Sequence, residues 1–240
     1  MTGRALILAL VAAGPAAAQD TAEDAFVSDN LIAIFYHEIG HALIDTLGLP
    51  IYGQEEIAAD VASVILLSDV FTPDSFAEMA YNVPAGFQLD AVEEGTDPAF
   101  WDVHGAAEQR YYTSVCLFYG ALPDDLDDYA QEMALPPERA ETCADEFDLA
   151  QASWTPIFDE LAAGPGEYLR LVIKEDGETA DLIAAEVADL NDRFRWPDLE
   201  VAVLSCAEAN AFYDPDARRI EICTEFADAL RDGWRAVLSE

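Results

Sequence analysis

Basic side chains are the scarcest thing in this chain. Of 240 residues, 11 are Lys or Arg against 48 Asp or Glu, and Lys174 is the single lysine. The resulting formal charge of −37 repels phosphate backbones and anionic lipid, which excludes nucleic-acid and membrane-surface partners. Histidine is nearly as rare, with three in all, so any two that fall close together carry weight. The four cysteines, Cys116, Cys143, Cys206 and Cys223, lack the C-x-x-C spacing of zinc or redox sites. Neither an internal repeat nor a low-complexity tract is present. What remains is a globular composition, 52% apolar and 25% charged, long enough for one or two domains with a sizeable core.

The first eighteen residues, MTGRALILALVAAGPAAA, read as an export signal. Arg4 precedes a short apolar run from Ala5 to Ala13, and Ala16-Ala17-Ala18 before Gln19 fits the small-residue pattern of signal-peptidase cleavage. The run is too short to span a bilayer and ends at Gly14-Pro15. No later segment qualifies as a transmembrane helix. The expected product is soluble and exported, periplasmic or secreted, with no membrane association after cleavage. An even number of cysteines suits such an oxidising compartment. Of the three possible pairings, Cys206–Cys223 across a hairpin-like segment and Cys116–Cys143 between two helices are preferred.

Two compositional regions follow. Residues 19–163 read as a helical region and residues 167–240 as an α+β region packing on it, with Gly164-Pro165-Gly166 between them. In the first, LIAIFYHEIGHALIDTLG, QEEIAADVASVILLSDV and AAEQRYYTSVCLFYG have helical periodicity, with Gly48 and Gly120 as stops. Pro73 to Trp101 is expected to be irregular, because Gly86, Gly95 and Pro98 mark turns. Asp124–Met133 and Pro137 to about Leu161 are expected helices. In the second region, YLRLVIKE and LEVAVLSC read as strands and ETADLIAAEVADLNDRF as a helix. NAFYDPDARRIEIC reads as a hairpin, and TEFADALRDGWRAVL as a closing helix. The fold class is therefore α+β, mainly helical, with a small C-terminal β-sheet or hairpin region.

One constellation carries chemistry. His37-Glu38-Ile39-Gly40-His41 is an H-E-x-x-H motif inside an apolar helix, and it uses two of the three histidines. At 1.5 Å rise per residue, positions i and i+4 put both imidazoles on one face, roughly 6 Å apart, where they can share a Zn²⁺. Glu38 then lies beside the open coordination position as general base. In the next helix Glu56 can supply the third ligand, completing a His₂Glu set. Asp60, one turn later on the same face, can accept the far ring N–H of His37, which fixes the tautomer. Glu55 points about 100° away from Glu56 and is expected to be solvated. The competing reading of Glu55 and Glu56 is a plain helix N-terminus favoured by the dipole.

FYHEIGHALIDTLGLPIYGQEEIAADVAS resembles the core of a bacterial family of exported "putative metallopeptidases", a branch of the thermolysin-like gluzincins. WDVHGAAEQRYYTSVCLFYG and CAEANAFYDPDARRIEIC resemble two further segments of that family, although the second precedes the zinc helix in the family pattern and follows it here. The resemblance implies a zincin-like fold and a zinc peptidase acting on a peptide or protein substrate. His37, His41 and Glu56 would hold the metal, with Glu38 catalytic and His104 near the cleft as a second catalytic candidate. Arg110, Tyr111 and Tyr112 are weaker candidates, while Asn210, Tyr213 and Asp214 are read as structural. The alternative from another class is a non-catalytic periplasmic peptide- or protein-binding module with a structural zinc site. Within the enzymes, hydrolysis of a non-peptide amide is the second choice.

Overall fold

The computed structural model describes residues 15–95, 97–126 and 128–237. Of the export signal expected over 1–18, residues 1–14 lie outside the described residues, and Pro15–Ala18 begin the first helix. Seven elements come first, all helical: α1 (Pro15–Leu47), α2 (Glu55–Val70), α3 (Pro73–Glu94), α4 (Ala107–Ala121), α5 (Tyr129–Glu132), α6 (Pro137–Ala140) and α7 (Cys143–Ala163). Then come β1 (Arg170–Ile173), α8 (Glu178–Arg193), β2 (Glu200–Leu204), β3 (Ala211–Asp214), β4 (Arg219–Cys223) and α9 (Glu225–Val237). The architecture is α+β and mainly helical. Among the described residues, no helix is long and apolar enough to cross a membrane.

Helix α1 is the central post. Phe26, Leu31, Phe35, Tyr36, Ile39, Ala42 and Leu43 are all within 1% of complete burial, too many directions for a one-sided amphipathic helix. Such a helix must be enclosed. Helices α2, α3, α8 and α9 and strands β3 and β4 all pack on it. It stops at Gly48, whose φ of +61° costs a glycine little, with Leu49 N–H bonding back to Ile44.

The sheet runs β1-β2-β4-β3. Strands β1, β2 and β4 are mutually parallel, while β3 runs antiparallel to β4. Helix α8 makes the crossover that parallel β1 and β2 require. Val201 pairs with Leu171 on one side and Ile220 on the other, and Val201, Val203, Ile220 and Ile222 are completely buried. These side chains join the same hydrophobic core as Ile65, Phe118 and Trp154 from the helices. A smaller cluster of Phe26, Val27, Leu31, Ala85, Ala227 and Leu230 seats α9 against α1 and α3. Two disulfides staple the whole: Cys116–Cys143 joins α4 to α7 at a Cα separation of 5.0 Å, and Cys206–Cys223 closes the loop before β3 at 5.4 Å.

Two stretches differ from their expected form. Pro73–Glu94 is a continuous helix despite Pro84 and Gly86. Thr72 caps it by accepting from the Ser75 N–H, and Phe76, Met79, Ala80 and Val83 bury one helical face. Gly86 serves close packing, not a turn: a methyl there would run into Asn30 Oδ1 on α1. Further on, the helix expected over Asp124–Met133 shrinks to α5, whereas the one expected from Pro137 to about Leu161 is present as α6 and α7 with a break between them. Ala134, at φ +53°, ends the first stretch. The second breaks before Cys143, where Arg139 and Thr142 both bind Glu146 and the disulfide holds the start of α7 against α4.

Candidate metal centre

Helices α1 and α2 lie close enough to share a polar centre because Gly40 faces Ala59 and Ala62 with no side chain between. That contact brings the α1 histidines against the first turns of α2. The two Nε2 atoms of His37 and His41 face each other at 3.1 Å, and Glu56 Oε2 stands 3.3 Å from the first and 3.2 Å from the second. These three donors lie within 4.8 Å of one another, a group that could hold a metal ion.

Each imidazole is oriented from its far side. His37 Nδ1 meets Asp60 Oδ1 at 2.8 Å, and His41 Nδ1 meets Glu55 Oε1 at 2.8 Å. In the neutral rings, with both Nδ1 protons given to carboxylates, both Nε2 lone pairs point at the same spot beside an anionic oxygen, whereas in the charged rings Nε2–H donates to that oxygen. Three electron-rich donors converging there are mutually repulsive unless a cation lies among them, so the chemistry of the set fits a divalent metal. The electrostatics agree. Burial presses the His37 pKa down, but the bonds to Asp60 and Glu56 outweigh it and leave it raised to about 9. For His41, too, burial opposes the charge and the bonds to Glu56 and Glu55 prevail. Burial raises Glu56, yet hydrogen bonds from both histidines drive it well below the ordinary carboxylate range. A spot that stabilises positive charge this strongly suits a cation.

Asp60 is itself secured. Arg110 of α4 grips it through two bonds of 2.8 Å, from Nε and Nη2, and its guanidinium lies 4.5 Å above the Phe87 ring. Burial would raise the Asp60 pKa, but Arg110 and His37 together hold it at about 2. Glu38 is 6% exposed and stands apart from the three converging donors. Burial pushes its pKa up, while the two imidazoles and a hydrogen bond from the main chain of Tyr213 pull partly back. The Tyr213 hydroxyl donates to Asp45 Oδ2 at 2.7 Å, fixing β3 along α1. His104, half exposed, places Nε2 at 3.2 Å from Glu56 Oε2 and Nδ1 at 3.1 Å from Asp102 Oδ1. Behind His37 opens a cavity of about 610 Å³, walled by Ile34, Val64, Phe87, Leu117 and Leu230 with Arg110 at its polar side.

The family model described as "Putative metallopeptidase" matches residues 10–158. The chain belongs to this family. The match takes in α1 through α6, and so His37, Glu38, His41, Glu55, Glu56, Asp60, Asp102, His104 and Arg110, whereas Tyr213 in β3 lies outside it. The N-A-F-Y-D-P segment, whose position differs from the expected family order, lies outside the matched residues. No curated protein and no solved structure matches the chain.

The structure brings His37, His41, Glu56 and Asp60 together, with His104 against Glu56. Glu55 is exposed to solvent as expected, and its carboxylate in addition reaches His41 Nδ1, a contact that its direction on the helix alone did not indicate. Consecutive residues of a first helical turn diverge by about 100°, and that divergence lets Glu55 and Glu56 take opposite sides of one imidazole ring. Arg110, rated a weak candidate, is the clamp on Asp60. Tyr213, read as structural, contributes its main chain to Glu38. Asp102 was overlooked. Its signal was the D-x-H pairing, which brings a carboxylate within reach of the His104 ring.

Proposed function

We propose that this chain is an exported zinc-dependent peptidase. The observation that carries the reading is the convergence of His37 Nε2, His41 Nε2 and Glu56 Oε2, with buried Glu38 one residue along the same helix. Zinc held by His37, His41 and Glu56 would supply Lewis-acid activation of water and of the scissile carbonyl. Glu38 takes the proton of the attacking water and passes it to the leaving amine. Its burial suits both steps, since a raised pKa favours holding a proton between them. His104, steadied by Asp102, supplies an N–H to the oxygen that becomes anionic as the carbonyl turns tetrahedral.

The test separates binding from turnover. Glu38→Gln keeps volume and hydrogen bonding but cannot take the water's proton. Expected is wild-type zinc content with peptide-library cleavage reduced on the order of a hundredfold or more, because general-base help is typically worth 10²–10⁴. If the folded, zinc-loaded wild type cleaves nothing across broad libraries, the peptidase reading gives way to a binding module.

A further inference from the structure

The two ring–carboxylate pairs of the centre have the same length and different surroundings. On the His37 side, Asp60 is gripped by Arg110, and all three side chains are 15% exposed or less. On the His41 side, Glu55 is 48% exposed, and among the described residues His41 is its one ionic partner. Glu55 is also the first residue of α2, directly before Glu56. His41 is therefore held on both ring nitrogens by neighbouring residues, Nδ1 by Glu55 at 2.8 Å and Nε2 by Glu56 at 3.2 Å.

We infer that Glu55 is a positioning residue which holds the His41 ring with Nε2 turned inward, and that the His41–Glu55 side is where the centre takes up and releases its metal. The inference rests on the metal-centre reading above. On the other side, loosening His37 requires moving a buried carboxylate and a guanidinium bonded to it twice. Here the restraint is one half-exposed side chain. Once Glu55 swings away, the imidazole can turn about its own bond, and the lone pair facing the metal leaves with it. An uncompensated carboxylate also adds to the pull on a cation in a way that Asp60, already neutralised by Arg110, does not.

The experiment measures zinc release to a chelator by stopped flow, with the Co²⁺ absorption spectrum recorded in parallel. Wild type is compared with Glu55→Ala, Glu55→Gln, Glu55→Asp and His41→Ala. Glu55→Ala is expected to release metal on the order of ten- to a hundredfold faster and to alter the Co²⁺ bands. Glu55→Gln keeps an acceptor for Nδ1, so it restores the wild-type spectrum while still releasing metal faster. Glu55→Asp keeps the negative charge at the helix start but is one methylene too short for the ring, and should resemble the alanine variant. If Glu55→Asp or Glu55→Ala releases metal at the wild-type rate, the positioning role is overturned while the centre stands, provided His41→Ala has lost its zinc. If wild type itself binds no metal, the centre falls and this inference with it. None of these readouts depends on peptide cleavage, so an inactive but zinc-binding protein would leave the inference intact.

Discussion

A single methyl group at Gly40 should separate the stability of this fold from the quality of its centre. A Cβ built there lies 3.0 Å from Ala59 Cα, 3.2 Å from Ala62 Cβ and 3.3 Å from Ala59 Cβ. Carbon atoms prefer roughly 3.5–4.0 Å, so α2 would have to withdraw by several tenths of an ångström. Replacing a helical glycine returns about 0.5–1 kcal/mol of backbone entropy, whereas overpacking costs about 1–3 kcal/mol. The net loss of stability for Gly40→Ala is therefore modest, about 0–2.5 kcal/mol. The centre is less forgiving. Ala59 immediately precedes Asp60 and follows Glu56 by three residues, so the same withdrawal carries both carboxylates away from the α1 histidines. Metal donors tolerate about ±0.2 Å, and zinc affinity should fall on the order of tenfold. Chelator competition and urea melts on metal-free protein measure the two effects independently. A Gly40→Ala variant with wild-type zinc affinity would refute the claim that this helix contact sets the donor geometry.

Arg110→Met should destabilise the fold by about 3 kcal/mol in urea melts, near the low end for stripping a partner from a buried charge because His37 still bonds Asp60. Arg110→Lys should recover little of it, since a point charge cannot reproduce two bonds to one carboxylate, and a loss under 1 kcal/mol in Arg110→Met would count against the clamp. Asp29, bonded to Asn82 at 2.6 Å, has its pKa pushed up to about 6, first by burial and further by Glu78. The native state then binds the extra proton, so this contribution is fully present below the unfolded pKa near 4 and is lost as pH rises through 6. Asp29→Asn should accordingly be about 1–3 kcal/mol more stable than wild type at pH 7, with the difference shrinking towards pH 4; a gain independent of pH would contradict the assignment.

What could be read from the chain in advance divides along physical lines. His37 with His41, and Glu56 with Asp60, each share a helical face by spacing alone, so both halves of the donor set were legible once their helices were. Asp60 as the outer partner of His37 was legible with them, but Arg110 on Asp60 and Glu55 on His41 were not, because those contacts depend on how helices cross. Arg110 meets Asp60 only because α4 packs beside α2, and Glu55 meets His41 only because Gly40 lets α1 come so near. The misreading of α3 has the same origin. Pro84 and Gly86 are poor helix residues in isolation, but burial of Phe76, Met79, Ala80 and Val83 outweighs their local cost. The small size of Gly86 is what admits Asn30, whose amide bonds to the Phe26 and Asn82 carbonyls and ties α1 to α3.

The C-terminal sheet lies outside the family match, yet it bears on the chemistry assigned to Glu38. Burial alone would push the pKa of this carboxylate further up, towards the protonated form that cannot serve as a base. Two nearby imidazoles oppose that tendency, as does the hydrogen bond from the Tyr213 main chain on β3. The strand holds that position through the Tyr213 hydroxyl on Asp45 and through its register against β4, where Tyr213 pairs with fully buried Ile220. Removing the Tyr213 side chain cannot delete the main-chain bond, but it frees the strand from α1. In the proposed reaction the helical half would supply the donors, and the main chain of the sheet would work against the upward pull of burial on Glu38.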